Sequence, residues 1–165
     1  MPNVHEPEFD ASSEREGFRY RRARLGRQAG AERLGASLYE LSPGQSAWPY
    51  HAHLANEELL IVLRGRPSLR APEGWRELDE GEVVAFPRGE RGAHQLLNRH
   101  DEPVRILMVS EMNAPEVALY PDSGKIAAFG RAPGSAGEGI EVSFRTEDGV
   151  DYWEGESPPT GESST

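Results

Sequence analysis

A chain of 165 residues with a formal net charge of -10 and no cysteine is long enough to bury one core without disulfides, and it can hold no thiolate-bound metal. The acidic balance argues against a nucleic-acid partner, whose phosphates it would repel. The longest strongly apolar run, Leu59 to Leu63, is far too short to span a bilayer, and the acidic segment Met1 to Asp10 lacks the basic-then-apolar pattern of a signal peptide, so no membrane partner and a cytoplasmic location are expected.

In chain order, the first dozen residues offer few apolar anchors and read as loosely ordered. Phe18 to Arg22 has the composition of a short strand, and Leu25 to Leu34 that of a Gly-rich loop. The arginines between Arg15 and Arg33 alternate with Gly, Tyr, Ala and Leu, the pattern of a solvated strand and loop rather than a basic binding arm. From Ala36 the texture changes. Ser37 to Leu41 reads as a strand ended by Ser42-Pro43-Gly44, and short strands then recur over Glu58 to Leu63, Pro67 to Ala71, Val83 to Phe86, His94 to Asn98 and Val104 to Ser110. Turn signals separate them at Gly65, Pro72-Glu73-Gly74, Asp79-Glu80-Gly81, Pro87-Arg88-Gly89 and Asp101-Glu102-Pro103. Many short strands at such spacing predict an antiparallel sandwich or barrel, with no amphipathic helix in its core.

After Met112 the pattern becomes irregular. Tyr120 to Lys125 reads as a turn feeding Ile126 to Phe129, and its Gly124-Lys125 lacks the leading glycine and the following Ser/Thr of a phosphate loop. Arg131 to Gly139 reads as a small-residue connector, and Ile140 to Arg145 as one more strand. The expected organisation is an N-terminal extension over 1–35, a barrel core over 36–112, an extension packing on the barrel over 113–153 and a polar, disordered tail over 154–165.

The chemistry concentrates in His51-Ala52-His53, in Glu58 and in His94, which use three of only five histidines. On a strand, residues two apart share a face, so His51 and His53 can aim both imidazoles at one point. Glu58 lies beyond a short link and shares parity with Leu60 and Val62. His94 sits on a later strand and reaches the others only if the sheet closes on itself. Neutral imidazole and carboxylate suit zinc, iron, nickel or manganese. Glu57 is the rival carboxylate. By strand parity Trp48 and Tyr50 face away from the pair. Arg64, Arg70 and Arg76 could hold an anionic substrate but read more simply as surface residues.

The spacing resembles the two motifs of the cupin superfamily. Gly44, six residues, His51-x-His53, four residues, Glu58, six residues and Gly65 form the first. Gly81, Val83 to Pro87, Gly89, His94 and Asn98 form the second. The chain departs from the family pattern by one extra residue before His51 and two before His94, both in turns. The resemblance covers Ala36 to Glu111. Pro49-Tyr50-His51, Asn56-Glu57-Glu58 and Tyr120 to Lys125 further resemble a group of single-domain bacterial cupins with a C-terminal extension.

The resemblance implies an all-β double-stranded β-helix (a jelly-roll, or cupin, barrel) with irregular N- and C-terminal extensions. It implies one divalent transition metal held by His51, His53, Glu58 and His94, with Asn98 bracing the barrel end. It also implies a small-molecule ligand and pairing into a homodimer. A metalloenzyme of the isomerase, epimerase, lyase, decarboxylase or dioxygenase type is expected, acting on a small polar or acidic metabolite. The alternative is a non-catalytic, metal-dependent binding or sensing module. Tyr39, Glu40 and Glu57 are the nearby proton-carrying side chains, and none is assigned a catalytic role.

Overall fold

The computed structural model describes residues 1–132 and 139–158. The chain opens with strands β1 (Ala11–Arg15) and β2 (Phe18–Ala23), a hairpin turning at Gly17, followed by the five-residue helix α1 (Leu25–Ala29). The barrel strands follow: β3 (Leu34–Leu41), β4 (Ala52–His53), β5 (Glu58–Arg64), β6 (Ser68–Ala71), β7 (Gly74–Glu77), β8 (Val83–Phe86), β9 (Gln95–Leu97) and β10 (Val104–Glu111). The C-terminal part adds β11 (Glu116–Tyr120), β12 (Lys125–Phe129) and β13 (Glu141–Arg145).

All the strand pairs are antiparallel. One sheet runs β1-β2-β3-β10-β5-β8, a second β13-β12-β11-β4 and a third β7-β6-β9. Two isolated bridges, Ser46 to Leu97 and His51 to His94, stitch the second and third sheets into one face opposite the first. Between the faces lies the main core. Leu60 and Val62 of β5 stand beside Met108 and Ile106 of β10 and meet Leu69, Leu78, Phe86 and Leu96 from the other side. Burial alternates along β5 and β10, because successive side chains point to opposite faces and the inner face is the more deeply buried. Each fully buried Leu, Ile or Val stabilises the fold by about 1.5–3 kcal/mol.

The large sheet also has an apolar outer face, and this accounts for the order of the N-terminus. Leu38, Leu63 and Leu107 point outward and are covered by Val4, Phe9, Ala23 and Leu25. The segment read as loose is therefore held by the barrel's own outer leucines, and the Gly-rich stretch after β2 forms α1. The C-terminal extension likewise supplies strands. β11 pairs with β4 through Ala118 to His53 and Leu119 to Ala52, which brings it against the histidine pair.

Residues 133–138 of the connector expected over Arg131–Gly139, and residues 159–165 of the tail, lie outside the described residues. Among the described residues no helix is long and apolar enough to cross a membrane.

Candidate metal centre

His51 and His94 are cross-strand partners. The His51 N–H donates to the His94 carbonyl at 3.2 Å and the His94 N–H to the His51 carbonyl at 2.8 Å. Directly opposed residues of an antiparallel pair share a face, so the two rings lie side by side, centroids 4.7 Å apart. His53, two residues on, joins them on that face. Glu58 begins β5 and shares the inward parity of Leu60 and Val62.

The structure brings all four side chains together. His53 Nε2 lies 3.0 Å from His51 Nε2 and 3.4 Å from Glu58 Oε2, and His94 Nε2 lies 3.3 Å from the same carboxylate oxygen. His51, His53 and Glu58 form a group that could hold a metal ion. The tautomers follow from the other ring nitrogens. Nδ1 of His51 donates to the Pro49 carbonyl at 3.0 Å, and Nδ1 of His94 to the Gly92 carbonyl at 2.9 Å. A carbonyl only accepts, so these Nδ1 atoms carry the protons and each Nε2 presents a lone pair. His94 Nε2 is buried and has no hydrogen-bond partner among the described residues, an arrangement that costs free energy unless a cation shares the lone pair.

Local sequence holds these rings still. Phe86 stacks on His94 with ring centroids 3.9 Å apart and planes nearly parallel. Gly92, which supplies the carbonyl for His94, lies so close to Pro87 that a Cβ there would sit 1.8 Å from its carbonyl oxygen, so only glycine fits. Trp48 does not face away as strand parity suggested. Its ring stands edge-on to His51 and His94 at 5.9 and 5.8 Å, because the chain around Pro49 is a bend rather than a regular strand. Tyr50 does point outward, into a cluster with Ala52, Ala93 and Leu119.

Electrostatics keeps two of the imidazoles in their binding form. Burial lowers the His94 pKa to about 3, and burial with the neighbouring imidazoles holds His51 well below its usual range. Both are neutral at physiological pH. Burial also lowers His53, but Glu116 and Glu58 outweigh it, and the net shift is upward. Glu58 is raised, mainly by burial.

Glu116 is the residue the sequence reading missed. It opens β11, is 1% exposed, and accepts hydrogen bonds from the Leu54 and Ala55 N–H groups at 3.1 and 3.3 Å and from the Asn56 amide. Its Oε2 faces His53 Nδ1 at 3.7 Å, beyond hydrogen-bond range, and among the described residues His53 Nδ1 has no closer partner. Burial opposes its charge, yet the nearby His53 imidazole and the bonds from Asn56 and Ala55 prevail and lower its pKa. A lone acid opening the apolar run Val117-Ala118-Leu119 was the available signal.

The other candidates fall elsewhere. Glu57 is exposed, and Glu40 pairs with Arg21 and Arg105. Arg70 is clamped by Asp122 at 2.5 and 2.9 Å and stacks on Tyr50, while Arg76 pairs with Glu82. Asn98 is fully buried and donates to the Leu41 and Glu102 carbonyls, tying two loops at the barrel end. Three cavities border the cluster. One, of about 370 Å³, has Glu58, Tyr39 and Ser110 in its wall, a second, of about 380 Å³, has His51, His53, Glu116 and Tyr120, and a third, of about 450 Å³, has Glu57, Glu58 and Arg88. Arg22 and Arg24 line the first two.

Residues 37–110, which hold all four clustered side chains, match the family model of the cupin domain, Cupin_2. These residues form a cupin domain. This cupin is similar in fold to a sugar phosphate isomerase from a cupin superfamily of Silicibacter pomeroyi, with a TM-score of 0.75 and 24% identity over 90% of this chain and 94% of that one. It is similar also to a provisionally assigned sugar phosphate isomerase of Acidithiobacillus ferrooxidans, with a TM-score of 0.73 and 24% identity over 87% of each chain. Polyketide cyclase RemF of Streptomyces resistomycificus aligns with a TM-score of 0.57 and 27% identity over 70% of this cupin and 83% of the cyclase. No curated protein matches the chain. The fold is the expected all-β double-stranded β-helix.

Proposed function

We propose that this cupin binds one divalent transition metal through His51, His53, Glu58 and His94 and acts with it on a small polar or acidic metabolite, most simply in an isomerisation. The observation that carries the reading is the convergence of Nε2 atoms on one carboxylate, with Nδ1 of His51 and His94 occupied by carbonyls. Neutral imidazoles so fixed are metal ligands waiting for a cation, and imidazole with carboxylate fits zinc, iron, nickel or manganese. When bound, the metal supplies a Lewis acid that stabilises negative charge on a hydroxyl, keto or carboxylate oxygen.

The chain's own groups supply the rest. The cavities of about 370 and 380 Å³ suit a small molecule rather than a polymer. Tyr39 lines the same cavity as Glu58, and burial raises its pKa, so it holds its proton at neutral pH and can donate to a substrate oxygen. The names of the two sugar phosphate isomerases that share the fold support isomerisation over oxygen chemistry.

The test is metal content by inductively coupled plasma mass spectrometry on untagged wild type, His51→Ala and His94→Ala, followed by isomerase assays of the loaded protein on sugar phosphates and hydroxy or keto acids. One metal per chain in the wild type, lost in both variants, with turnover in the panel, is the expected result. Absence of metal even after reconstitution overturns the metal site. Metal without turnover leaves the non-catalytic binding module.

A further inference from the structure

Many arginines of this acidic protein are paired with carboxylates: Arg21 and Arg105 with Glu40, Arg66 with Asp79, Arg76 with Glu82, Arg88 with Glu111. Arg22 forms no ion pair among the described residues, although Tyr39 and the Asp10 charge act on it. It stands on β2 beside Tyr39, its Cζ 5.9 Å from that ring, and its Nε is buried without a hydrogen-bond partner among the described residues. Leaving a buried guanidinium N–H unsatisfied is costly, and the group is built to grip a planar or tetrahedral oxyanion through two N–H groups at once.

The position of Arg22 matters as much as its bonding. It lines two of the three cavities that border the histidine cluster, and Arg24 accompanies it in both. Arg24 is oriented by Asp10 at 3.2 Å. Arg27, exposed on α1, adds a third guanidinium to the cavity that holds Glu58. The acids facing this cluster are few. Glu32 shares the first cavity with Glu58. In the second, Glu116 is committed to Leu54, Ala55 and Asn56, and Glu141 to Arg131.

We propose that Arg22, flanked by Arg24 and Arg27, anchors the oxyanion end of the substrate, a phosphate ester or a carboxylate, while the rest of the molecule reaches the histidine cluster. The position of the reacting end rests on the metal-site reading; the anchor itself does not. The arginines lie in the N-terminal extension, so the extension completes the binding site as well as covering the outer leucines of the barrel.

The experiment is isothermal titration of the full chain with inorganic phosphate and, separately, with malonate, in metal-loaded and chelator-stripped protein. The variants are Arg22→Gln, Arg27→Gln and, as a control away from both cavities, Arg76→Gln, with metal content measured throughout. Arg22→Gln is expected to keep its metal and weaken anion binding about ten- to hundredfold, the worth of one bidentate charged contact. Arg27→Gln is expected to weaken it about two- to fivefold, as a neighbouring exposed charge does, and Arg76→Gln to change nothing. Tighter binding of phosphate or of malonate identifies which oxyanion the anchor takes. Wild-type protein that binds neither anion, or an Arg22→Gln variant that binds as the wild type does, overturns the anchor. If Arg22→Gln does not fold, unchanged binding in Arg27→Gln overturns it instead. A wild type without metal defeats the metal reading alone, since titration of stripped protein reads the guanidinium by itself.

Discussion

Glu116 Oε2 stands 3.7 Å from Nδ1 of His53, while Nε2 of the same ring faces His51 and Glu58. An ionised carboxylate behind an imidazole orients the ring and makes its far nitrogen more basic. Glu116→Gln is therefore expected to reduce metal affinity about ten- to hundredfold, read by competition with a chromophoric chelator. The glutamine keeps an oxygen for the Leu54 and Ala55 N–H groups, so the stability loss is expected to stay near about 1 kcal/mol. A fall in stability with unchanged affinity would confine Glu116 to holding the turn before β5.

Glu57 and Glu58 are adjacent acids with opposite parity, one exposed and the other facing two imidazoles. Glu58→Gln removes the charge that balances a divalent cation and is expected to abolish stoichiometric metal, whereas Glu57→Gln is expected to retain it. Mass-spectrometric metal content of both variants decides the matter, and equal retention would show that the carboxylate is dispensable.

Acid is expected to destabilise the metal-free protein. The folded His94 takes up its proton only at about 3, against an ordinary value of 6.5, so between these pH values the unfolded chain binds a proton that the folded chain refuses. Stability thus falls as pH drops through 6.5 and continues to fall toward 3, at up to about 1.4 kcal/mol per pH unit. His51, shifted the same way, steepens the fall, and Glu116, also lowered, adds a loss as the pH falls below 4.5. His53 and Glu58 are raised and work in the opposite sense, their contributions being complete at low pH and fading as pH rises. Urea denaturation of chelator-stripped protein at pH 7.5 and 5.5 is expected to show a loss of about 1 kcal/mol or more in the wild type and a smaller one in His94→Gln. Identical slopes would remove His94 as the source.

Gly92→Ala tests the turn that aims His94. A Cβ 1.8 Å from the Pro87 oxygen forces the backbone apart, and the carbonyl that fixes His94 moves with it. A loss of about 2–4 kcal/mol is expected, together with weaker metal binding. A wild-type denaturation midpoint would mean that the turn accommodates the methyl group.

The barrel and the histidine pair were legible because their signals are local. Short apolar runs such as Glu58 to Leu63 and Val104 to Ser110, with turn residues between, report strands of a buried antiparallel barrel. The i, i+2 spacing of His51 and His53 reports a shared face. The reading of Trp48 failed for the same reason, since parity holds only where a strand is regular and Pro49 breaks it. Glu116 carried only a faint mark, a lone acid before a short apolar run in an irregular extension, and Arg22 looked like one arginine of a solvated strand.

By itself, then, the sequence determined an antiparallel all-β barrel, its double-stranded β-helix topology through resemblance to the cupin motifs, and a cluster built from His51, His53, Glu58 and His94. Only the tertiary structure decided what surrounds that cluster. The pairing of β11 with β4 brings Glu116 behind His53 across sixty-three positions of chain. The packing of β2 against β3 carries Arg22 into the cavity walls. Such long-range neighbours are set by which apolar faces must be covered, a property of the closed barrel that no window of residues contains.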